Sequence, residues 1–175
     1  MTTLVVTACM LLFGCEDNNV AKRDDNATAR EFLKEVNAQP VALNGVKLGD
    51  SWRVVRYQYR YSDGGIEKED DVDYLQMGAD CSDYKEYWIL GTTEVMQAYK
   101  GHCYEKDWNG YYEKFHQTID TENNTITIDY VLDGGAKQFS ESWTISSLTD
   151  SELILNRRDE QEGSFYQYTF RREDF

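Results

Sequence analysis

Two periods of hydrophobicity divide the chain. Between Ala27 and Ala38, apolar Phe32, Leu33 and Val36 fall on one face among Arg30, Glu31, Lys34 and Glu35. That spacing predicts a short amphipathic helix, serving as a lid or plug against the domain, and Pro40 helps to stop it. From Gly49 onward the period is two. Ser51 to Tyr61 is a long strand-like run that ends in the turn Ser62-Asp63-Gly64-Gly65, and Ile66 to Leu75 is acidic and strand-like at best. Tyr84 to Leu90 and Glu94 to Lys100 flank Gly91-Thr92-Thr93. Tyr111 to Ile119, Thr125 to Leu132, Gln138 to Ser147, Ser151 to Arg158 and Ser164 to Arg172 complete the series. Strands this regular, joined by short Gly, Asn and Asp turns, predict an antiparallel meander. A meander of eight or nine strands protects its edges by closing on itself, so the expected fold is all-β: an up-and-down barrel with a short N-terminal helix.

Alternation also predicts which side chains face inward. Ile126, Ile128, Tyr130 and Leu132 share one side, opposite Thr125, Thr127 and Asp129. Phe139, Trp143 and Ile145 share another, and Tyr166, Tyr168 and Phe170 align on the last strand. Single-sided burial of this kind is what a small barrel requires. Glu141 shares its face with Phe139 and Trp143, and a carboxylate among inward aromatics is costly unless paired. Arg56, counted on the Trp52 and Val54 face, is its expected partner.

The first residues read differently. Leu4 to Phe13 is an apolar run too short to span a bilayer, which takes about 20 residues, but suited to the core of a secretory signal. It ends Leu12-Phe13-Gly14-Cys15, which resembles a bacterial lipobox. The resemblance implies cleavage before Cys15 and lipidation of its thiol. No Lys or Arg precedes the run, so either the terminal amine supplies the positive end or translation begins elsewhere. Glu16 to Asn26 is charged and has nothing to pack, as expected of a solvated tether. Glu16 and Asp17 resemble the surface-export signal of Bacteroidota lipoproteins. The expected organisation is a signal over 1–14, a lipidated tether and helix over 15–48, and a barrel over 49–175. It would lie in the cell envelope as an outer-membrane lipoprotein, periplasmic or surface-exposed. Several acyl chains would hold it there, since one chain alone binds marginally.

Composition narrows the picture further. Thirteen Tyr, 14% aromatic residues and a single Pro suit half-buried pleated surfaces. A mean hydropathy of -0.69 excludes a polytopic membrane protein. The net charge of -14 repels phosphate backbones, which argues against nucleic-acid binding. With Cys9 lost in the signal and Cys15 lipidated, Cys81 and Cys103 remain, an even count that predicts one disulfide outside the cytoplasm. The rival, a metal pair completed by His102, lacks zinc-ligand spacing.

Several stretches resemble the lipocalin-like domains of Bacteroidota lipoproteins. Gly49-Asp50-Ser51-Trp52-Arg53-Val54 resembles the Gly-x-Trp opening of the first lipocalin strand, with one extra residue before Trp52. Cys81, Tyr84 to Leu90, a glycine turn and Cys103 resemble a cysteine-bracketed hairpin of that family. Trp143-Thr144-Ile145, Leu148 to Leu155 and Tyr168 to Arg172 resemble its last strands. The likeness covers Gly49 to Arg172 and implies an eight-stranded barrel that binds a small apolar or amphipathic molecule.

No nucleophile motif, phosphate loop or metal signature is present, so neither an enzyme nor a cofactor is expected. Glu67 to Asp73 lacks the glycine of a calcium loop and reads as a solvated edge or loop. His116, on the Tyr112, Lys114 and Thr118 face, reads as a surface residue. The expected binding residues are Arg56, Trp88, Tyr130, Glu141, Trp143 and Tyr168, with Glu141 orienting the guest. The competing expectation is a filled barrel without a ligand, working as an accessory to a surface complex. The chain ends in Phe175, but counting back by two gives Glu173, Arg171 and Thr169, which excludes a lipid-facing barrel strand.

Overall fold

The computed structural model describes residues 25–38, 41–63, 66–75, 81, 83–103, 106–107, 111–132, 137–160 and 162–175. The signal, Cys15 and most of the tether lie outside the described residues. The chain opens with helix α1 (Asp25–Ala38) and the hairpin of β1 (Ala42–Leu43) and β2 (Val46–Lys47). Asn44 and Gly45 turn that hairpin at φ of 51° and 80°, the left-handed pair that suits a two-residue turn. Then come β3 (Ser51–Asp63), β4 (Ile66–Asp73), β5 (Lys85–Leu90), β6 (Glu94–Lys100), and the short β7 (His102–Cys103) and β8 (Lys106–Asp107). The rest is a meander of β9 (Tyr111–Asp120), β10 (Thr125–Leu132), β11 (Lys137–Leu148), β12 (Glu152–Asp159) and β13 (Ser164–Arg172).

The large sheet is antiparallel and runs β13-β12-β11-β10-β9-β6-β5-β3-β4, and β13 returns to pair with β3 along Phe165 to Arg172. Eight strands thus close into an up-and-down barrel, with β4 as an extra strand hung on β3. The seam between β3 and β5 is short, joining Ser51, Trp52 and Arg53 to Ile89, Trp88 and Tyr87. Beyond it β3 leaves the barrel seam and pairs with β4 instead.

The barrel has two unlike halves. At the end holding the starts of β3, β6, β10 and β12, the interior is aliphatic and closed. Val54, Leu90, Val95, Ile126, Ile128, Leu153, Leu155 and Phe170 are all buried there. Leu43 and Leu48, supplied by the β1–β2 hairpin and the residue after it, join the same core. Trp52 Nε1 donates to the Leu48 carbonyl at 2.7 Å, which satisfies the indole and fastens the hairpin to the barrel base. The plug therefore comes from this hairpin. Helix α1, expected as a lid or plug, packs instead on the outer wall, where Ala29, Phe32 and Val36 cover Tyr87, Ile89, Met96 and Ala98 of β5 and β6. That cover explains why both faces of these two strands are buried and their alternation is weak.

Cys81 and Cys103 form a disulfide with Cα atoms 4.2 Å apart, tying the approach to β5 to the exit from β6. Gly101 makes the approach possible. Its φ is +94°, and a Cβ there would stand 2.1 Å from the Asp83 carbonyl oxygen. The acidic run expected as a loop or solvated edge is strand β4; Asp71 pairs with Arg56 and Glu69 with Arg60 on its exposed face.

Candidate functional site

Toward the other end the inward positions become aromatic and polar. Tyr57 and Tyr59 of β3, Tyr130 of β10, and Tyr166 and Tyr168 of β13 face inward, yet remain half-buried, and inward Phe139 is 44% exposed. Solvent therefore reaches the outer rings of this half, whereas the aliphatic core from Val54 to Phe170 is buried. The rings form a continuous lining. Tyr59 stacks on Tyr166 at 4.6 Å, Tyr57 meets Tyr168 at 4.8 Å, and Tyr168 touches Trp88 and Trp143 at 5.3 and 5.4 Å. Trp88 and Trp143 meet edge to face at 5.9 Å, and Tyr130 lies between Phe115 and Phe139.

Polar groups are set into this lining. Glu141 of β11 faces inward as expected, but its partner is Arg157 of β12, which forms an ion pair with it. The Arg157 guanidinium also lies 4.4 Å from the Tyr166 ring centroid and 5.6 Å from that of Trp143. The expected partner, Arg56, is on the outside of the barrel, bonded to Asp71. The reason is a register shift between β3 and β13: Val54 pairs with Phe170 and Arg56 with Thr169, so Val55 is an extra residue. Such a bulge reverses the parity of everything after it. Trp52 and Val54 face inward before it, Tyr57 and Tyr59 after it, and Arg56 is turned to solvent.

Of the expected binding residues, the structure brings Trp88, Tyr130, Glu141, Trp143 and Tyr168 together inside the barrel and excludes Arg56. It also adds groups not anticipated. Glu86 lies two residues before Trp88 on the inward face of β5 and is buried, with Trp88 Nε1 donating to its carboxylate at 2.9 Å. Burial pushes the Glu86 carboxyl above the usual carboxylate range, and the indole bond opposes that only in part. Gln97 of β6 accepts from the Tyr99 hydroxyl at 3.4 Å and donates to that of Tyr130 at 3.5 Å. Burial likewise raises the phenols of Tyr99, Tyr130 and Tyr168, and the Glu86 charge raises all three further. Tyr57 is pushed up to about 12, first by burial and then by Tyr166 and Tyr59. Among the described residues, the buried Trp143 Nε1 has no hydrogen-bond partner.

Glu86 could have been found from the sequence. Tyr84, Glu86, Trp88 and Leu90 alternate, and choosing Trp88 as a lining residue already placed Glu86 beside it. The histidine expectation holds: His116 is exposed and contacts Asp129 at 3.2 Å on the outer wall.

Fold and site together define a small antiparallel barrel with a sealed aliphatic base and an open, tyrosine-lined end. A scan against protein-family models finds no match to the chain, and a search of curated proteins finds none either. Among the described residues, no helix is long and apolar enough to cross a membrane.

Proposed function

We propose that this chain is a cell-envelope lipoprotein of lipocalin-like type whose barrel binds a small amphipathic molecule at its tyrosine-lined end. One observation carries the binding reading: inward Tyr57, Tyr59, Tyr130, Tyr166, Tyr168 and Phe139 stay partly accessible to solvent, whereas the described inward residues of the other half, Ile119 and Leu148 apart, are buried. An interior built only to be packed has no reason to stop halfway. The polar groups support it as well. Pockets for small molecules are largely apolar with a few convergent polar groups, and Glu86, Gln97, Trp143 Nε1 and the Arg157–Glu141 pair are such a set. A guest that accepts a hydrogen bond would satisfy the Trp143 indole, which has no partner among the described residues and otherwise costs about 1–3 kcal/mol.

Attachment through Cys15 rests on the lipobox-like sequence, and envelope localisation follows from it. The packed base favours a second reading, a filled barrel that acts as an accessory to a surface complex. Native mass spectrometry of the protein purified from its own host separates the two. A co-purifying small molecule, displaced in a Tyr168→Ala variant, is the expected result; a ligand-free mass together with no change in tryptophan emission across amphipathic probes would remove the binding reading. Metabolic labelling with a palmitate analogue, lost in Cys15→Ser, tests the anchor.

A further inference from the structure

Glu86 is the feature of this interior that the packing of the barrel does not require. It is buried on a wall of aromatic side chains, and its one hydrogen bond among the described residues, from Trp88 Nε1, comes from a neutral donor. Arg157, an inward cation of this half, is already committed to Glu141. The inward face of β9 adds another acid, Glu113, opposite Gln97. Among the described inward positions of the open half, acids therefore outnumber bases, in a protein whose net charge is -14.

The surroundings of Glu86 are as selective as its charge. Tyr99 stands directly opposite Glu86 in the β5–β6 register, Tyr84 lies 6.5 Å from Tyr99 and 6.0 Å from Tyr74, and Trp88 touches Tyr168 at 5.3 Å, so rings from several strands gather on its side of the interior. Ring faces attract cations, and the attraction grows when water is excluded. Among the described residues Glu86 has no cationic partner, and a buried carboxyl of this kind is stabilised in its charged form, giving up its proton, when a cation arrives. An anionic guest such as a fatty acid would meet the opposite situation.

We propose that the open half of the barrel takes an organic cation, an ammonium group carried on an apolar body, with Glu86 as its counter-charge and Trp88, Tyr99, Tyr130 and Tyr168 around it. This rests on the binding reading above and names its ligand class. The apolar body lies along Trp143 and Phe139, toward the mouth. The acidic exterior raises the local concentration of cations and speeds their capture.

The test uses the full chain and three probes of one shape: phenethylamine, phenethyl alcohol and phenylacetate, titrated by calorimetry and by tryptophan emission at neutral pH. Phenethylamine is expected to bind at least about tenfold more tightly than the alcohol, and phenylacetate more weakly than either. In Glu86→Gln, which preserves an acceptor for Trp88 Nε1, the preference for the amine over the alcohol falls to about twofold or less. Equal affinities for amine and alcohol in the unmodified protein, or tighter binding of phenylacetate, would overturn the proposal and leave the cup as a binding site. An amine preference that survives Glu86→Gln would overturn it too. Binding of none of the three would sink both this proposal and the reading it rests on. The wild-type series decides the matter even if the variant fails to fold.

Discussion

Replacing Arg157 with Met should cost far more than an ordinary ion pair at a protein surface. The Arg157 and Glu141 side chains are only 20% and 19% exposed, so neither has bulk water to fall back on. Removing the guanidinium leaves a carboxylate facing inward beside Trp143 and Tyr130 without a positive partner. Breaking a buried pair in this way costs roughly 3–5 kcal/mol, and partial access to water at the open end puts this case near 3. The lost ring contacts with Tyr166 and Trp143 add about 0.5–1 kcal/mol. Glu141→Gln alone should cost less, about 2 kcal/mol, because the guanidinium keeps its rings and reaches toward solvent. If the two residues form one unit, the double variant is milder than the sum by about 2 kcal/mol. Urea unfolding followed by tryptophan emission measures all four corners of this cycle. Additivity within about 0.5 kcal/mol would refute the pairing and the inward placement of both residues.

Two further outcomes follow from the fold. Cys81 and Cys103 are separated by 22 residues, for which the chain-entropy model gives about 3 kcal/mol. The urea midpoint should fall in the double Ser variant and on reduction of the native protein; an unchanged midpoint would show that the link does not constrain the unfolded chain. Glu86 should impose a pH dependence on stability. Because burial raises its carboxyl in the folded protein above the unfolded value of 4.5, its contribution is complete below that pH. It is lost as pH rises through the folded value. The phenols facing it are all raised away from this range, so they leave the trend intact. The gap in melting temperature between Glu86→Gln and the native protein should widen in favour of Gln as pH rises through this window, and a gap that stays constant would contradict the burial.

Most strands could be read from the sequence because in β10, β11 and β13 one face is buried and the other wet. Residues such as Ile126, Ile128, Trp143 and Phe170 then repeat every second position. The same rule failed at Arg56 for a physical reason. Parity counting assumes an unbroken register, and Val55, between another valine and an arginine, carries no glycine or other mark of a bulge. Glu86 was missed for another reason: its alternation with Trp88 was there to count, but α1 covers the outer face of β5, so apolar Tyr87 and Ile89 blurred which face was inward. The β1–β2 hairpin needed only its Asn-Gly pair to be noticed, although strands of two residues give no period to count. The disulfide required no geometry at all, since the cysteine count sufficed.

A closed barrel has no free strand margin, but β4 restores one, because it pairs with β3 on one side and ends the sheet on the other. Its open backbone would be a ready template for a neighbouring copy to extend the sheet. Five successive charged residues, Glu67 to Asp71, occupy that strand, all exposed and four of them acidic. Molecules crowded at high local density are thereby held apart along this border, and the protection weakens as salt rises.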